Sequence, residues 1–241
     1  GLARLAVAAQ LGRWAHTLEW EPLAATHEDL EGDAPIDHRH RDPLAAQVDA
    51  QSVGAALEPG IWALLADAGG AASSLADCLH AHGHRTLVIP RDDPRPLAEL
   101  LREARRRGAL HGVIDLRWLE QTDEAAVVAL LACTRTLVAD GAPRLAILTR
   151  GAMAVRPGEA PDPAAAMAWA LGRTIGMEHL ELRVRLLDLD PTQHDLAAVA
   201  RDLVSPDRED LVAWRAGRRR AARLVPLVVP APAEPLRIDP D

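Results

Sequence analysis

The chain has 241 residues, 49% apolar and 26% charged, with a net charge of −8. That is enough for one large core or two small ones, and it excludes a disordered or fibrous protein. The acidic balance argues against nucleic acid or an anionic membrane as partner, since both draw clustered cations. Tyr, Phe, Lys and Asn are absent, so no phenol or primary side-chain amine is available as a catalyst. All four use AT-rich codons, which points to a GC-rich gene.

Residues 1–13 read as a linker from a preceding domain; GLARLAVAAQLG has neither the charged leader nor the cleavage site of a secretory signal. WAHTLEW, Trp14–Trp20, alternates like a strand with one buried face, and Pro22 ends it. Residues 21–59, rich in Asp, His and Pro, read as a long connection with a short helix at 44–56. The regular part follows. Apolar runs at 61–66, 85–90, 111–116, 144–149 and 183–189 predict parallel strands buried on both faces. Helical patterns at 71–82, 94–107, 122–140 and 163–179 separate them, and another covers 193–204. Runs at 210–215 and 218–225, split by Ala216-Gly217, predict an antiparallel hairpin at the sheet edge. This alternation predicts an α/β, Rossmann-like parallel sheet flanked by helices, with right-handed crossovers. Residues 227–241 form a Pro-rich linker. The longest apolar run, Ala125–Cys133, is far short of the ~20 residues of a bilayer span. Cys78 and Cys133 stand alone, which suits a reducing cytoplasm.

ADAGGAASS follows the first run, where a pyrophosphate-binding turn would carry G-x-G-x-x-G. Gly69 and Gly70 are adjacent, and in every register only one required position is Gly. Asp92 lies near the distance of a ribose-binding acid, but RDDP also suits a helix cap. The turn reads as vestigial. His80, His82 and His84, like His38 and His40, lack metal-ligand spacing, and Gly83 reads as a helix end with imidazoles near its negative pole. Arg105–Arg107 read as the solvated last turn of a helix. Arg218–Arg220 fall in the hairpin, with an alternating face placed to pair with a partner's acids. Trp169, Arg173 and Glu178 share one helix, where core packing competes with contact to a neighbouring domain. Together with Trp214, Arg218 and Arg220 they form the candidate interface. No G-x-S-x-G surrounds Ser52, Ser73, Ser74 or Ser205.

HTLEWEPL (His16–Leu23), WALLADAGG (Trp62–Gly70), GVIDL (Gly112–Leu116) and LAILTRGAMAV (Leu145–Val155) occur in this order. AWALGRTIGMEHLELRVRLLDLDP (Ala168–Pro191) and LVAWRAGRRRAARLVP (Leu211–Pro226) follow. On these segments residues 14–226 resemble the structural, N-terminal subdomain of ketoreductases from modular type I polyketide synthases, a truncated short-chain-dehydrogenase-like fold. His16 and Arg220 stand where the family usually has an aromatic ring, and Leu180 where it often has Pro. The resemblance implies a chain without chemistry of its own that scaffolds a catalytic subdomain in cis. That partner would reduce β-ketoacyl groups on acyl carrier protein to β-hydroxyacyl groups with NADPH, which this chain would not bind. The parent would be a multidomain synthase that also has acyltransferase activity. The absence of Tyr and Lys agrees independently, since such a reductase needs a Tyr to protonate the alkoxide, usually with a Lys to depress its pKa. A pseudo-ketoreductase remnant and a degenerate Rossmann enzyme using NADPH or S-adenosylmethionine stay open on the residues.

Overall fold

The computed structural model describes residues 16–23, 57–120, 123–141, 143–192, 195–205 and 209–227. The linker expected at 1–13, all but Leu227 of the one expected at 227–241, the helix expected at 44–56, Trp14, His38, His40 and Ser52 lie outside them. In chain order the elements are β1 (His16–Pro22), β2 (Ile61–Leu65), α1 (Ala71–Ala81), β3 (Arg85–Ile89), α2 (Leu97–Arg107), β4 (Leu110–Asp115) and α3 (Glu124–Ala139). They continue with β5 (Arg144–Arg150), α4 (Pro163–Glu178), β6 (Arg185–Leu189), α5 (Leu196–Val204), β7 (Leu211–Arg215) and β8 (Arg218–Pro226).

Contacts divide the chain into a main unit, Pro22–Ala221, and a smaller one of Gly1–Glu21 with Ala222–Asp241. In the smaller unit β1 lies beside the outer half of β8, with Arg223 Nε 3.5 Å from a Glu21 carboxylate oxygen. No described residue of β1 is fully buried, so the one buried face expected of it is only half-buried, at Thr17, Leu18 and Trp20. In the main unit the strand order is β8-β7-β6-β5-β4-β2-β3, parallel except between β7 and β8.

The sequence periods account for most of this. Every residue of β2 is buried, as a continuous apolar run requires when helices cover both faces. β3 is the exception among the runs. Arg85 and Val88 are exposed because this strand is an edge and its helices cover it only in part. Ala216 and Gly217 both have positive φ, 51° and 72°, the two-residue turn whose twist suits a hairpin. α2 begins at Leu97 rather than Pro94, because Pro96 is extended at the cap and biases Arg95 away from helix. β6 begins at Arg185 because Arg183, φ 43°, closes a preceding 3-10 turn in the left-handed region.

α1 and α5 cover one face of the sheet, over Trp62, Leu64, Ile114, Leu148, Leu187 and Val212. α2, α3 and α4 cover the other. The steps β4 to β5, β5 to β6 and β6 to β7 all run in one direction, yet α5 lies opposite to α3 and α4. The β6-α5-β7 connection is therefore left-handed, a departure from the right-handed rule. The chemistry of the strands explains it. Toward α1, β6 and β7 present Leu187, Leu189 and Val212, which receive Val199, Ala200 and Leu203 of α5. Toward α4 they present Asp188 and Arg215, which no apolar helix face would satisfy.

Chain direction reverses at β2 and β4: β2 leads outward to β3, β4 leads the other way to β5. The crevice beyond their carboxyl ends is where doubly wound sheets bind ligands.

Candidate functional site

The Gly69–Gly70 turn opens from β2 into that crevice. Gly70 adopts φ 87°, a left-handed conformation natural to glycine, and starts α1. The Asp67 carboxylate, 8% exposed, accepts from the amides of Ala71 (Oδ2, 2.9 Å) and Ala72 (Oδ1, 2.8 Å). Those are the first-turn amides that a phosphate would take at a helix N-terminus. From the end of β4, Glu120 reaches across the crevice and its Oε2 accepts from the Ala68 amide at 2.9 Å. A Cβ on Gly69 would lie 2.2 Å from Glu120 Oε1. Gly69 thus makes room for a carboxylate of the chain itself. Three amides of the turn, those of Ala68, Ala71 and Ala72, are engaged by these carboxylates, and two acids meet an approaching phosphate with like charge.

A second polar cluster lies at the carboxyl ends of β5, β6 and β7. Arg215, 1% exposed, donates to Asp188 (2.6 Å) and Glu159 (3.1 Å), and to the carbonyls of Met153, Asp188, Leu189 and Trp214. Asp188 also accepts from Thr149 Oγ1 and the Ala152 amide, both at 2.8 Å. Burial opposes ionisation of Glu159, but the Val155 amide and the Arg156 and Arg215 guanidiniums outweigh it and hold its carboxyl at about 2. The cluster fastens the segment 151–162 to the strand ends; every charged group in it has its counter-ion.

Trp169 is 2% exposed, buried in this chain's own core. Of the two readings of that helix, core packing holds for Trp169, and the side chain is not on a surface where another domain meets it. Arg173 and Glu178 are exposed on α4. Trp214 is half-buried against the α1–α5 core, Arg218 is exposed and Arg220 half-buried. Between the last two, Arg219 donates to Asp202 of α5 at 2.7 Å, so this run serves the chain itself in part. Arg105 is not simply solvated, since it pairs with Asp140 and ties α2 to the end of α3. Asp92 is exposed, while Asp93 makes the cap turn to the Arg95 amide (2.9 Å). Gly83 ends α1 with φ 81°, as its position predicts. His80 contacts Thr86, whereas buried His84 accepts from the Gly60 amide and meets the His111 ring edge-on at 5.4 Å; among the described residues no cluster suits a metal.

Asp67, Glu120, Asp188 and Arg215 are the residues that the sequence reading misses. Asp67, just ahead of a helix start, carries a readable capping signal, and Asp188 interrupts an otherwise apolar run. Glu120 and Arg215 have no local signature.

The family model for the Rossmann fold domain of the polyketide synthase extender module SpnB matches residues 18–224. The chain belongs to this family. The domain is 31% identical over 186 residues to the mycocerosic acid synthase-like polyketide synthase of Mycobacterium tuberculosis, 70% of this chain and 9% of that protein. It is 44% identical over 106 residues to the spectinabilin polyketide synthase system protein NorA' of Streptomyces orinoci, 43% of this chain and 3% of that one. The Rossmann domain therefore spans less than a tenth of these relatives. It shares its fold with the first ketoreductase of the tylosin polyketide synthase (TM-score 0.67, 23% identity), covering 90% of this chain and 42% of that one. A C2-type ketoreductase from a modular polyketide synthase is similar (TM-score 0.66, 24% identity, 90% and 44%). The expected resemblance to the ketoreductase region of polyketide synthases and the Rossmann-like fold are borne out.

Proposed function

We propose that this domain is the non-catalytic structural half of a polyketide synthase ketoreductase. It scaffolds a catalytic subdomain in cis, which reduces β-ketoacyl groups on acyl carrier protein with NADPH. The observation that carries the reading is the occupied turn: Asp67 and Glu120 take the amides of Ala68, Ala71 and Ala72, where a dinucleotide phosphate would sit. A chain lacking Tyr and Lys has no short-chain-dehydrogenase proton donor either. The solved ketoreductases supply the partner's logic, since more than half of each lies outside the part this chain covers.

The surface suited to docking is the outer side of α3 and α4. Val128 (61% exposed) and Leu131 on α3, and Met167 and Met177 (69%) on α4, continue to Leu180 (77%). Apolar side chains this exposed on adjacent helices mark a contact surface, and Arg173 and Glu178 give it a polar rim. The lone, free Cys78 and Cys133 suit a reducing cytoplasm, and no described helix is long and apolar enough to cross a membrane. The test is to produce the catalytic half of the parent synthase alone and together with this chain. Recovery of soluble, NADPH-dependent reductase only in the joint preparation supports the scaffold; full activity of the catalytic half alone refutes it.

A further inference from the structure

We propose that the amino ends of β5 and β6 form a docking site for an acidic segment of a neighbouring domain, whose carboxylates Arg144 and Arg183 take. The site lies at the end of the sheet opposite to the Gly69–Gly70 turn. Ala146 of β5 pairs with Arg185 of β6, and two residues ahead of that pair, one on each chain segment, stand Arg144 and Arg183. Like charges that face each other on adjacent strands repel. Arg144 is half-buried and Arg183 exposed, and among the described residues neither guanidinium has a hydrogen-bond or ion-pair partner. The carboxylates at this end are engaged elsewhere or stand apart. Buried Asp202 takes Arg185 at 2.8 Å and Arg219 at 2.7 Å, Glu181 takes His179 at 3.1 Å, and Asp140 takes Arg105. Glu178, Glu209 and Asp210 pair with neither Arg144 nor Arg183.

A charge that is partly withdrawn from water costs free energy until it is paired. Burial, and then Arg183 and Arg185, lower the pKa of Arg144 from the usual arginine value, so the charges that act on it are cations. Arg183 adopts φ 43°, a left-handed conformation that glycine enters freely, so its cation is held there against backbone preference. Elsewhere the chain answers arginines of this kind with an aspartate from another segment: Arg105 with Asp140, Arg185 with Asp202, Arg215 with Asp188. The group that Arg144 lacks is of the same kind, a carboxylate, and its supply is left to a partner. Two adjacent guanidiniums offer it paired N–H donors. In the relatives a domain of this size is less than a tenth of one polypeptide. A segment of another domain then meets it at a high effective concentration, and a contact with a Kd of about 1 mM suffices. The proposal goes beyond the scaffold reading and does not rest on it, since the outer side of α3 and α4 takes no part.

The test is a titration of hexaglutamate peptide into the full, isotope-labelled chain at low salt, followed by amide chemical shifts, with inorganic phosphate as control. Saturable shifts at the starts of β5 and β6, with a Kd of about 1 mM or below, are expected. Binding should weaken about fivefold in Arg144→Gln and in Arg183→Gln, and likewise with added salt. Arg106→Gln, exposed in the last turn of α2, should leave it within about twofold. Relief of repulsion in Arg144→Gln should also raise the melting temperature by about 1–2 °C. Should Arg144→Gln not fold, Arg183→Gln carries the same readouts. No saturation at about 5 mM peptide overturns the site. So does equal weakening in Arg106→Gln, or a lower melting temperature in Arg144→Gln, which would reveal a partner within the chain. Phosphate binding as tightly as the peptide would make this a small-anion site and overturn the docking surface. The scaffold reading is judged separately, by reductase recovery.

Discussion

α1 and α4 pack on opposite faces of the same sheet, and their outer sides differ. α1 turns Leu75, Ala76 and Leu79 inward and exposes Ser73, Ser74, Asp77 and His80. Water satisfies that outer side, and one buried face completes the helix. α4 buries Ala165, Trp169 and Ile175 yet exposes Met167, Ala170 and Met177. A helix that leaves apolar side chains on its outer side has found only part of its packing, and α3 beside it, with Val128 and Leu131 exposed, is built the same way. The sheet therefore has a finished face under α1 and α5 and an unfinished one under α3 and α4. The charged groups at the strand ends sit on the unfinished side.

The comparison breaks hardest at Arg215. Arg215→Met leaves Asp188 buried with no counter-charge, and should cost about 3–5 kcal/mol in chemical denaturation. A loss below about 1 kcal/mol would mean that the network does not hold the strand ends. Trp169→Ala, on the inner side of α4, should cost about 3–5 kcal/mol through lost burial and a cavity. If it proves neutral, the inner and outer sides of α4 are wrongly assigned.

Beside α1, His84 adds a dependence on pH. Burial, then the neighbouring His111 and His82, lower its pKa below the usual 6.5, so the unfolded chain takes up the proton more readily. Stability from this group is complete above pH 6.5 and is lost as pH falls through that value toward the folded one. His84→Leu should flatten the melting temperature between pH 7 and pH 5; an unchanged slope assigns the effect to other groups. Asp67→Ala removes the amide acceptor at the start of α1 and should cost about 1 kcal/mol. Should that variant gain NADPH binding in a calorimetric titration, the carboxylate alone had been closing the turn.

The smallest effect on stability belongs to Met177→Gln, within about 0.5 kcal/mol for the isolated chain. Its consequence should appear only with a partner, as lower recovery of reductase from the joint preparation. Equal recovery with wild-type chain would remove α4 from the docking surface.

Most element positions were legible because strands and helices write their periods locally. The run at Ile61–Leu65 and the stripe Leu75, Ala76, Leu79 announce themselves within one turn or one pleat. The edge position of β3 was not legible, because an apolar run reads alike whether or not a neighbour completes it. At the turn, the missing glycines were visible, but what replaced the phosphate was not. Glu120 meets Ala68 across 52 residues of sequence.

By itself the sequence determined the alternation of strands and helices, the hairpin at Ala216-Gly217, and a chain with no phenol or amine to act as a catalyst. Only the tertiary structure decided the left-handed passage of α5, the capture of the turn by Asp67 and Glu120, the burial of Arg215 on Asp188, and which side of α4 faces outward. Periodicity and composition are properties of neighbouring residues, whereas a charge finds its counter-ion, and a helix its face of the sheet, only after distant segments have come together.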